Sequence, residues 1–366
     1  MRMDLSDLKN QSFLAIGTMS GTSLDGLDLA LVRFSVSAAE KWSFELVKGH
    51  MVSYDSLPWR DTLRNAVHLP PEELNDISLK FSQFIQQEMH HFWRAEGSPS
   101  LDAIGSHGHT VFHEPARGIT VQIGNTPLLA HGFSCPVVGD FRVDDVALGG
   151  QGAPLVPMAD ALLFAEYSHC TNIGGFSNTS CVIHGQRVAW DISPVNILLN
   201  ALSEKKGFPF DDRGGWARSG TPIGPLVDAL NALPYCTAKG PKSLAWEDVA
   251  RTYLPMLADY EKKHFVEDLL ASVVEHAAQQ MATAWLLGAP GPVLLTGGGV
   301  HNDFLWERLR YHSDRILVKA EKDTADFKEA IAFALLGLLR SKGKINVLSS
   351  VTGASRDHSA GRIFSN

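Results

Sequence analysis

Three glycine-rich turns follow apolar segments of the chain, and each could bind phosphate. They occupy Gly17 to Gly26, Gly174 to Ser180 and Gly297 to Gly299. Glycine lets backbone N–H groups approach a phosphate closely, and serine and threonine hydroxyls add donors. The first turn reads G-x-x-x-G-T-S without a lysine, so it lacks the spacing of a P-loop. One such turn is more typical of an ordinary hairpin, but three in one chain favour a nucleotide-binding protein.

Polar side chains in the first half of the chain allow both chemical and structural interpretations. His107, His109 and His113 could ligate a metal, because alternate residues of a strand share a face, or they could line a polar pocket. Arg142 stands among three acids in the segment 140–145. An arginine there suits the carboxylate or phosphate of a ligand, although a solvated salt-bridge cluster has the same composition.

Three carboxylates later in the chain are further candidates. Asp191 ends an apolar segment two residues before a predicted helix cap, where it can act as a general base or support the cap. Asp326 and Glu329 have helical spacing and can reach Mg²⁺ through water or lie on a solvated face. Reasoning from these local features predicts a two-domain α/β protein that binds a nucleotide.

Length and composition exclude several other classes of protein. The 366 residues suggest about two domains, and 45% hydrophobic with 20% charged residues is globular composition. A net charge of −8 without a basic block argues against a nucleic-acid-binding protein. No segment approaches the ~20 apolar residues of a membrane span, and the N-terminus lacks the apolar core of a signal peptide. Four cysteines without CxxC spacing predict reduced thiols in a cytoplasmic protein.

The elements that must position these residues alternate between strands and helices. Two similar hairpins of small residues are predicted over 13–32 and 169–183. A strand over 187–191 precedes a helix from Pro194 to Leu202, for which Ser193 is the predicted N-cap. The repeated hairpin favours a duplicated α/β architecture with a cleft between the copies. Further strands are predicted over 103–106, 121–123, 137–140 and 293–295, and further helices over 74–92, 157–167, 266–287, 304–310 and 327–339.

Eight longer segments, spread nearly from end to end, carry a family resemblance. They are GTMSGTSLDGLDLALV (17–32), SHGHTVFHEP (106–115), VQIGNTPLLA (121–130), VVGDFRVDDVALGGQGAPLVP (137–157), NIGGFSN (172–178), DDRGGWARSG (211–220), LLTGGGVHNDFL (294–305) and DTADFKEAIAFALLG (323–337). In this order they resemble the anhydro-N-acetylmuramic acid kinase family of the actin-like, sugar-kinase and Hsp70 ATPase superfamily. The resemblance implies a two-lobed α/β actin-like ATPase with duplicated ribonuclease H-like domains and an interlobe active-site cleft. The N-terminal lobe would comprise residues 1–136 plus about 345–366, and the C-terminal lobe residues 137–344.

The resemblance also implies a reaction. A member of this family uses ATP and Mg²⁺ to open the 1,6-anhydro ring of anhydro-N-acetylmuramic acid with water and to phosphorylate O6. The product is N-acetylmuramic acid 6-phosphate, an intermediate of peptidoglycan recycling. The expected partner is thus a small anhydro amino sugar, not a nucleic acid or a membrane, and the expected state is a cytoplasmic homodimer.

Site residues follow from the resemblance position by position. Asp191 matches the catalytic base, His107, Thr110 and Arg142 would contact the sugar, and Glu329 would hold a metal-bound water. The first hairpin would cradle the β- and γ-phosphates, a second loop would close around them, and a third turn would line the adenosine pocket. These ATP-binding residues are Gly21, Thr22, Ser23, Leu24, Asp25, Gly26, Leu27 and Asp28; Gly174, Gly175 and Asn178; and Gly297, Gly298, Gly299 and Asn302.

Four positions depart from the family pattern. Ile192 and Val195, on either side of Ser193-Pro194, replace smaller residues around the base. His109 stands where glutamine is commoner, and Asp160 stands where histidine is common. The departures leave room for a divergent member that acts on another anhydrosugar or serves as a non-catalytic sensor of sugar and nucleotide. A metal hydrolase built on the three histidines is a further alternative.

Overall fold

The chain forms two compact units, each with one β-sheet and its own helices. The computed structural model describes residues 5–238 and 240–365. The first unit runs to Phe164 and resumes at Phe327, and the second comprises Ala165–Asp326. The predicted mixed α/β class with a repeated strand-and-helix arrangement is thereby confirmed.

Twelve strands are assigned within the described residues, and they divide between the two sheets. The first sheet has the order β12-β6-β4-β1-β2-β3 with β5 paired to β4, and the second has the order β11-β10-β7-β8-β9. The strands are β1 (Gln11–Ser20), β2 (Gly26–Val36), β3 (Trp42–Ser53), β4 (Ala103–Glu114), β5 (Ile119–Ile123), β6 (Val137–Gly139), β7 (His169–Ile173), β8 (Phe176–Ile183), β9 (Gln186–Pro194), β10 (Val293–Thr296), β11 (Leu317–Lys319) and β12 (Arg362–Phe364).

The helices are mostly short, apart from three long ones. They are α1 (Trp59–Asn65), α2 (Pro71–Ala95), α3 (Val143–Ala147), α4 (Pro157–Leu163), α5 (Asn196–Glu204), α6 (Gly215–Ser219), α7 (Gly224–Asn231), α8 (Pro234–Thr237), α9 (Trp246–Asp248), α10 (Leu254–Glu261), α11 (Val266–Ala284), α12 (Asp303–His312), α13 (Lys322–Ser341) and α14 (Ser349–Thr352). A π-helical turn, Val249–Tyr253, joins α9 to α10.

The first sheet is covered on both faces by helices of its own unit. Ile16 packs in one core with Phe81 and Ile85 of α2. Gly17 points to the opposite face, because successive strand residues alternate. There a Cβ at Gly17 would lie only 1.8 Å from the carbonyl oxygen of Ala330, so the backbone of α13 rests directly on β1.

The second unit is built around α11. Side chains along most of the length of α11 are buried. They pack in one core with Tyr253, Trp285 and residues of the strands β7 to β10. Antiparallel pairing joins β7 to β8 and β8 to β9, whereas β10 runs parallel to β7. This unit therefore repeats the hairpin-led sheet of the first, as the sequence predicts.

Two predicted boundaries near the second hairpin are wrong. The turn consists of Gly174 and Gly175 alone, and β8 already begins at Phe176. Pro194 is the last residue of β9, and α5 begins at Asn196. Ser193 does not cap the helix, because its hydroxyl lies 3.1 Å from the Ser177 hydroxyl across the sheet. The predicted helix over 157–167 likewise ends early, at Leu163.

The compact units are divided at other positions than the lobes implied by the resemblance. Residues 137–164 belong to the first unit, since β6 pairs with β4 and β12 of its sheet. Residues 327–344 belong there too, because α13 packs on β1. The units describe contacts within the chain, and the lobes 1–136 plus about 345–366 and 137–344 stay a prediction.

Candidate active site

The first predicted phosphate hairpin is a tight, exposed turn between two strands of the first sheet. Gly21 to Asp25 join β1 to β2, and Leu24 adopts a left-handed conformation with φ of 58°. The Ser23 hydroxyl donates to Asp25 (2.7 Å), and the backbone N–H of Leu24 donates to the Gly21 carbonyl (3.3 Å). Of the remaining predicted ATP-binding residues here, Gly26 and Leu27 are buried in β2 and Asp28 is half-buried.

A buried polar chain supports this hairpin from β4. The Tyr54 hydroxyl donates to the Ser20 hydroxyl (2.9 Å), and Ser20 in turn lies 3.3 Å from Nδ1 of His109. Burial lowers the pKa of His109 and raises the pKa of Tyr54, so both side chains are neutral at pH 7. His109, which departs from the family pattern, therefore orders the last residue of β1.

His107 and Arg142 are in direct contact. Nε of Arg142 donates to Nε2 of His107 (3.0 Å), so the ring proton of His107 is on Nδ1, which donates to the Gly108 carbonyl (3.1 Å). Burial, with the neighbouring Arg142 charge, holds the pKa of His107 well below its usual range. Burial also lowers the pKa of Arg142 to about 10, which leaves it charged at neutral pH.

Glu329 completes this cluster from α13. Glu329 keeps an exposed surface, but partial loss of hydration against the surrounding protein raises its pKa, and the charges of Arg142 and Lys328 partly offset that rise. Lys328 itself is ion-paired with Asp160 (2.8 Å). Asp160, which stands where the family commonly has histidine, is thus the buried partner of this lysine. The structure thus brings together three of the predicted residues, His107, Arg142 and Glu329.

Other predicted residues of the first unit have local partners. Thr110 is half-buried and lies 3.5 Å from the side-chain amide of Gln122. His113 pairs with the Thr120 hydroxyl (3.1 Å). His107 contacts Arg142, His109 contacts Ser20 and His113 contacts Thr120, so the three histidines have different partners. Among residues 5–238 and 240–365, no group of three or more His, Cys, Asp and Glu side chains could hold a metal ion.

Asp191 lies at an irregularity of the second sheet. In the β8–β9 pairing Ser177 faces Ser193 and Asn178 faces Asp191, which leaves Ile192 as the extra residue of a bulge. Bulges next to active sites re-aim side chains. Asp191 is half-buried, and its Oδ2 accepts a hydrogen bond from the backbone N–H of Leu244 (2.9 Å). Burial raises the pKa of Asp191, and the Leu244 bond lowers it.

The two residues that replace smaller ones beside the base belong to the core. Ile192 is 2% exposed and Val195 is fully buried, and both pack in the hydrophobic core of the second unit. The bulge at Ile192 turns its side chain to this core, while Asp191 remains partly accessible. The larger side chains are therefore accommodated by packing.

The second and third glycine turns meet at the end of β7. The carbonyls of Gly174 and Gly175 accept N–H groups from the start of α5, at Asn196 (3.2 Å) and Val195 (2.8 Å). Gly297 has a φ of 83°, and a Cβ there would lie 2.6 Å from the Asn172 side-chain oxygen. Gly299 similarly packs against Ile173, whereas Gly298 faces open space.

Two asparagines predicted to bind nucleotide lie outside the glycine turns: Asn178 is in strand β8, and Asn302 is the N-cap of α12. Asn178 is exposed on β8 directly beside Asp191, outside the Gly174-Gly175 turn. Asn302 is buried and caps α12, because its side-chain oxygen accepts the N–H of Leu305 (2.9 Å). The amide nitrogen of Asn302 has no hydrogen-bond partner among the described residues, so it is available to a ligand.

Sequence reasoning missed the residues that hold Asp191. Leu244, Lys242 and Tyr235 all bond to it, although they are more than 40 positions away in the chain. The glycine and proline of GPKSL in the segment 240–244 indicate a loop, but nothing in that segment indicates its partner.

Comparisons with known proteins agree with the resemblance. The sequence model of the family "AnmK: Anhydro-N-acetylmuramic acid kinase" matches residues 13–366. Proteins named anhydro-N-acetylmuramic acid kinase are 36% identical in Cyanothece sp., over 93% of this chain and 97% of the relative, and 35% identical in Pseudomonas fluorescens, over 96% and 99%. Component A of (R)-2-hydroxyglutaryl-CoA dehydratase from Acidaminococcus fermentans has a TM-score of 0.44 at 11% identity, over 90% of this chain and 99% of that one.

One general property accompanies the site. Within the described part of the chain, no helix is long and apolar enough to cross a membrane. The extent of the sequence match, at this level of identity, identifies the family: the chain belongs to the anhydro-N-acetylmuramic acid kinases.

Proposed function

We propose that the chain uses ATP to convert anhydro-N-acetylmuramic acid to N-acetylmuramic acid 6-phosphate, with hydrolytic opening of the 1,6-anhydro ring. The observation that carries this proposal is Asp191. It is a partly accessible carboxylate at a β-bulge, held by a backbone N–H, in a chain that matches the family over residues 13–366. A general base needs this combination of access and fixed geometry.

Asp191 would accept one proton from a water molecule. The water oxygen forms a bond to the anomeric carbon as the bond between that carbon and O6 breaks. The freed O6 then forms a bond to the γ-phosphorus of ATP as the bond to the ADP oxygen breaks. The product contains the atoms of the substrate, one water and one HPO₃, and the proton on Asp191 passes to solvent.

Arg142 is proposed to bind the lactyl carboxylate of the sugar. Its Nε is used by His107, and its terminal nitrogens have no hydrogen-bond partner within residues 5–238 and 240–365. Two adjacent guanidinium nitrogens suit a carboxylate because they can bond to both of its oxygens. His107, neutral and held by Arg142, and Thr110 would line the same pocket.

The first hairpin is proposed to bind the β- and γ-phosphates. Gly21 to Asp25 form an exposed turn, and the negative charge of Asp25 in that turn adds a small repulsive contribution to the raised pKa of Glu329. Mg²⁺ keeps several waters and needs only one or two carboxylates beside the phosphates, so these acids fit such an ion. When bound, Mg²⁺ disperses charge on the transferred phosphoryl group.

The glycine turns of the second unit are also proposed to bind nucleotide. Gly174 and Gly175 would contact phosphate, with Asn178 beside Asp191 on the neighbouring strand. The turn Gly297 to Gly299 would lie along the adenosine, with the amide nitrogen of Asn302 as a donor. The homodimer and the cytoplasmic location belong to the proposal and are supported by the family resemblance alone.

The test is phosphorylation of anhydro-N-acetylmuramic acid in ¹⁸O-water with ATP, with Mg²⁺ present or chelated. We expect a product heavier by one HPO₃ and one water, with the ¹⁸O on the anomeric hydroxyl and none in the phosphate. A parallel assay with 1,6-anhydro-N-acetylglucosamine distinguishes a different sugar preference. ATP binding without any phosphorylated sugar would contradict the proposal and favour a sensor.

A further inference from the structure

Asp191 is held by a segment that follows α7 in the chain. Its backbone N–H donates to the carbonyl of Lys242 (3.0 Å), and its carbonyl accepts the Tyr235 hydroxyl (2.7 Å). Its Oδ2 accepts the N–H of Leu244 (2.9 Å). We name residues 235–238 and 240–244 the clasp. The clasp fixes both the backbone of Asp191 and one oxygen of its side chain.

The side chain of Lys242 joins the two parts of the clasp by hydrogen bonds. Nζ of Lys242 donates to the carbonyls of Tyr235 (2.6 Å) and Ala238 (3.0 Å) and lies 4.4 Å from the Tyr235 ring centroid. Next to Tyr235, the Cys236 sulfur lies 3.4 Å from the hydroxyl of the buried Tyr253. The clasp is thus internally tied and anchored on the core, so it presents the Leu244 N–H at a fixed position.

The two oxygens of Asp191 are not equivalent. Oδ2 is occupied by Leu244, whereas Oδ1 has no hydrogen-bond partner among the residues that the structure describes. Hydrogen bonding to the charged form of a carboxylate favours ionisation, and burial opposes it. Both effects act on Asp191, since burial raises its pKa and the Leu244 N–H lowers it.

We propose that the clasp is a positioning device for the general base: it leaves Oδ1 as the atom that accepts the proton of water and keeps the carboxylate ionised. Leu244, through its N–H, and Lys242, through closure of the clasp, are the positioning residues. This inference rests on the proposed function, which assigns Asp191 as the base. In the proton transfer the Leu244 bond to Oδ2 stays intact.

The first experiment compares Leu244→Pro, which removes the N–H, with Leu244→Ala, which keeps it. The pH dependence of kcat/KM reports the ionisation of the base in the free enzyme. We expect the acid limb of Leu244→Pro to move to higher pH by roughly one pH unit, because a bond to the ionised form is lost. The limb of Leu244→Ala should stay at the wild-type pH. The same limb in both variants would overturn the proposal.

Lys242→Met provides a second variant in case proline at position 244 prevents folding. Methionine retains the apolar stem and removes the bonds to Tyr235 and Ala238. We expect kcat to fall roughly tenfold with an acid limb shifted upward, and the KM for ATP to stay unchanged. A purely structural role would lower the amount of folded enzyme at every pH without moving the limb, and that result would contradict the clasp.

A titration without substrates separates the clasp from the proposed function. The ¹³C resonance of the Asp191 carboxyl, assigned by its loss in Asp191→Asn, reports the pKa directly. A higher pKa in Leu244→Pro than in Leu244→Ala would support the clasp even in a chain that phosphorylates no anhydrosugar. An active enzyme whose Asp191 resonance titrates alike in both variants would overturn the clasp and leave the proposed function standing.

Discussion

At the scale of single residues, the predicted functional residues include two acids, Asp191 and Glu329, and the half-buried Arg142, whose charges depend on their surroundings. Loss of hydration raises the pKa of both Asp191 and Glu329. The opposing influences differ, since Asp191 has a backbone N–H and Glu329 has the charges of Arg142 and Lys328. Titratable groups whose environments shift their pKa values are typical of catalytic sites.

Replacing Asp191 by asparagine tests the base directly. Asparagine keeps the size of the side chain and can still accept the Leu244 N–H, but it cannot take a proton. We expect kcat to fall by about 10²–10⁴-fold, the usual contribution of general base catalysis. ATP binding, measured by isothermal calorimetry, should be retained. Turnover near the wild-type rate would remove Asp191 as the base.

Arg142 is tested with two sugars. In Arg142→Ala we expect KM for anhydro-N-acetylmuramic acid to rise about 10–100-fold, the range for lost hydrogen bonds to a charged group. The sugar without the lactyl group, 1,6-anhydro-N-acetylglucosamine, is the matched control, because it has no carboxylate to lose. An equal loss with both sugars would show that Arg142 acts mainly through His107, to which it donates a hydrogen bond.

At the scale of elements, the position of Glu329 depends on glycines in the neighbouring strands. Gly17 of β1 and Gly105 of β4 face each other in the parallel pairing. A Cβ at Gly105 would lie 1.9 Å from the carbonyl oxygen of Phe333. A Cβ at Gly17 would lie 1.8 Å from the carbonyl oxygen of Ala330. Because these two positions are glycines, the backbone of α13 can lie directly against the sheet. The part of α13 that belongs to the first unit, from Phe327 onward, therefore packs on β1 and β4.

Gly105→Ala should consequently destabilise the protein. The added methyl group has no room against the helix backbone, and overpacking of this kind costs ~1–3 kcal/mol or more. Urea unfolding measures the loss, and kcat should fall with it because α13 carries Glu329. The control is Gly224→Ala in α7, where a Cβ meets nothing within 4 Å. Equal stability of the two variants would refute the close packing of α13.

The elements also show what sequence reasoning can and cannot reach. Periodicity and turn residues predicted the β1–β2 hairpin and the long helices α2, α11 and α13, because those signals are local. The start of β8 at Phe176 was missed, since Ser177 and Thr179 resemble turn residues, whereas backbone pairing with β7 and β9 and hydroxyl contacts with Ser193 and Thr171 place them in a strand. The clasp could not be predicted, because its bonds to Asp191 join distant parts of the chain.

At the scale of the whole molecule, the second unit contains two fully buried histidines. Burial lowers the pKa of His276 to about 3 and that of His169 to about 4. Nδ1 of His276 lies 2.7 Å from the Asn231 side-chain oxygen, and Nε2 of both rings is buried without a partner among the described residues. Both are therefore neutral in the folded protein across the physiological range.

This neutrality makes stability depend on pH. The unfolded state takes up a proton on each histidine near pH 6.5, and the folded state does so only near pH 4 or 3. Their contribution to stability is complete above pH 6.5 and is lost as the pH falls, by ~1.4 kcal/mol per pH unit for each group. Urea unfolding from pH 7.5 to 4.5 measures this slope. His276→Asn keeps a hydrogen-bond donor for Asn231 and removes one titrating group. The free energy of unfolding should then fall less steeply as the pH is lowered, by the contribution of one histidine. An unchanged slope would contradict a neutral, buried His276 in the folded protein.

The interrupted first unit has a consequence for synthesis on the ribosome. A nascent chain that has emerged as far as residue 326 contains the whole of the second unit but lacks the part of α13 that packs on Gly17 and Gly105, and it lacks β12. Domains usually complete folding in the order of translation. Here the first unit, which starts before the second in the chain, is completed after it, and one face of its central strands stays uncovered until residues 327–341 of α13 have emerged.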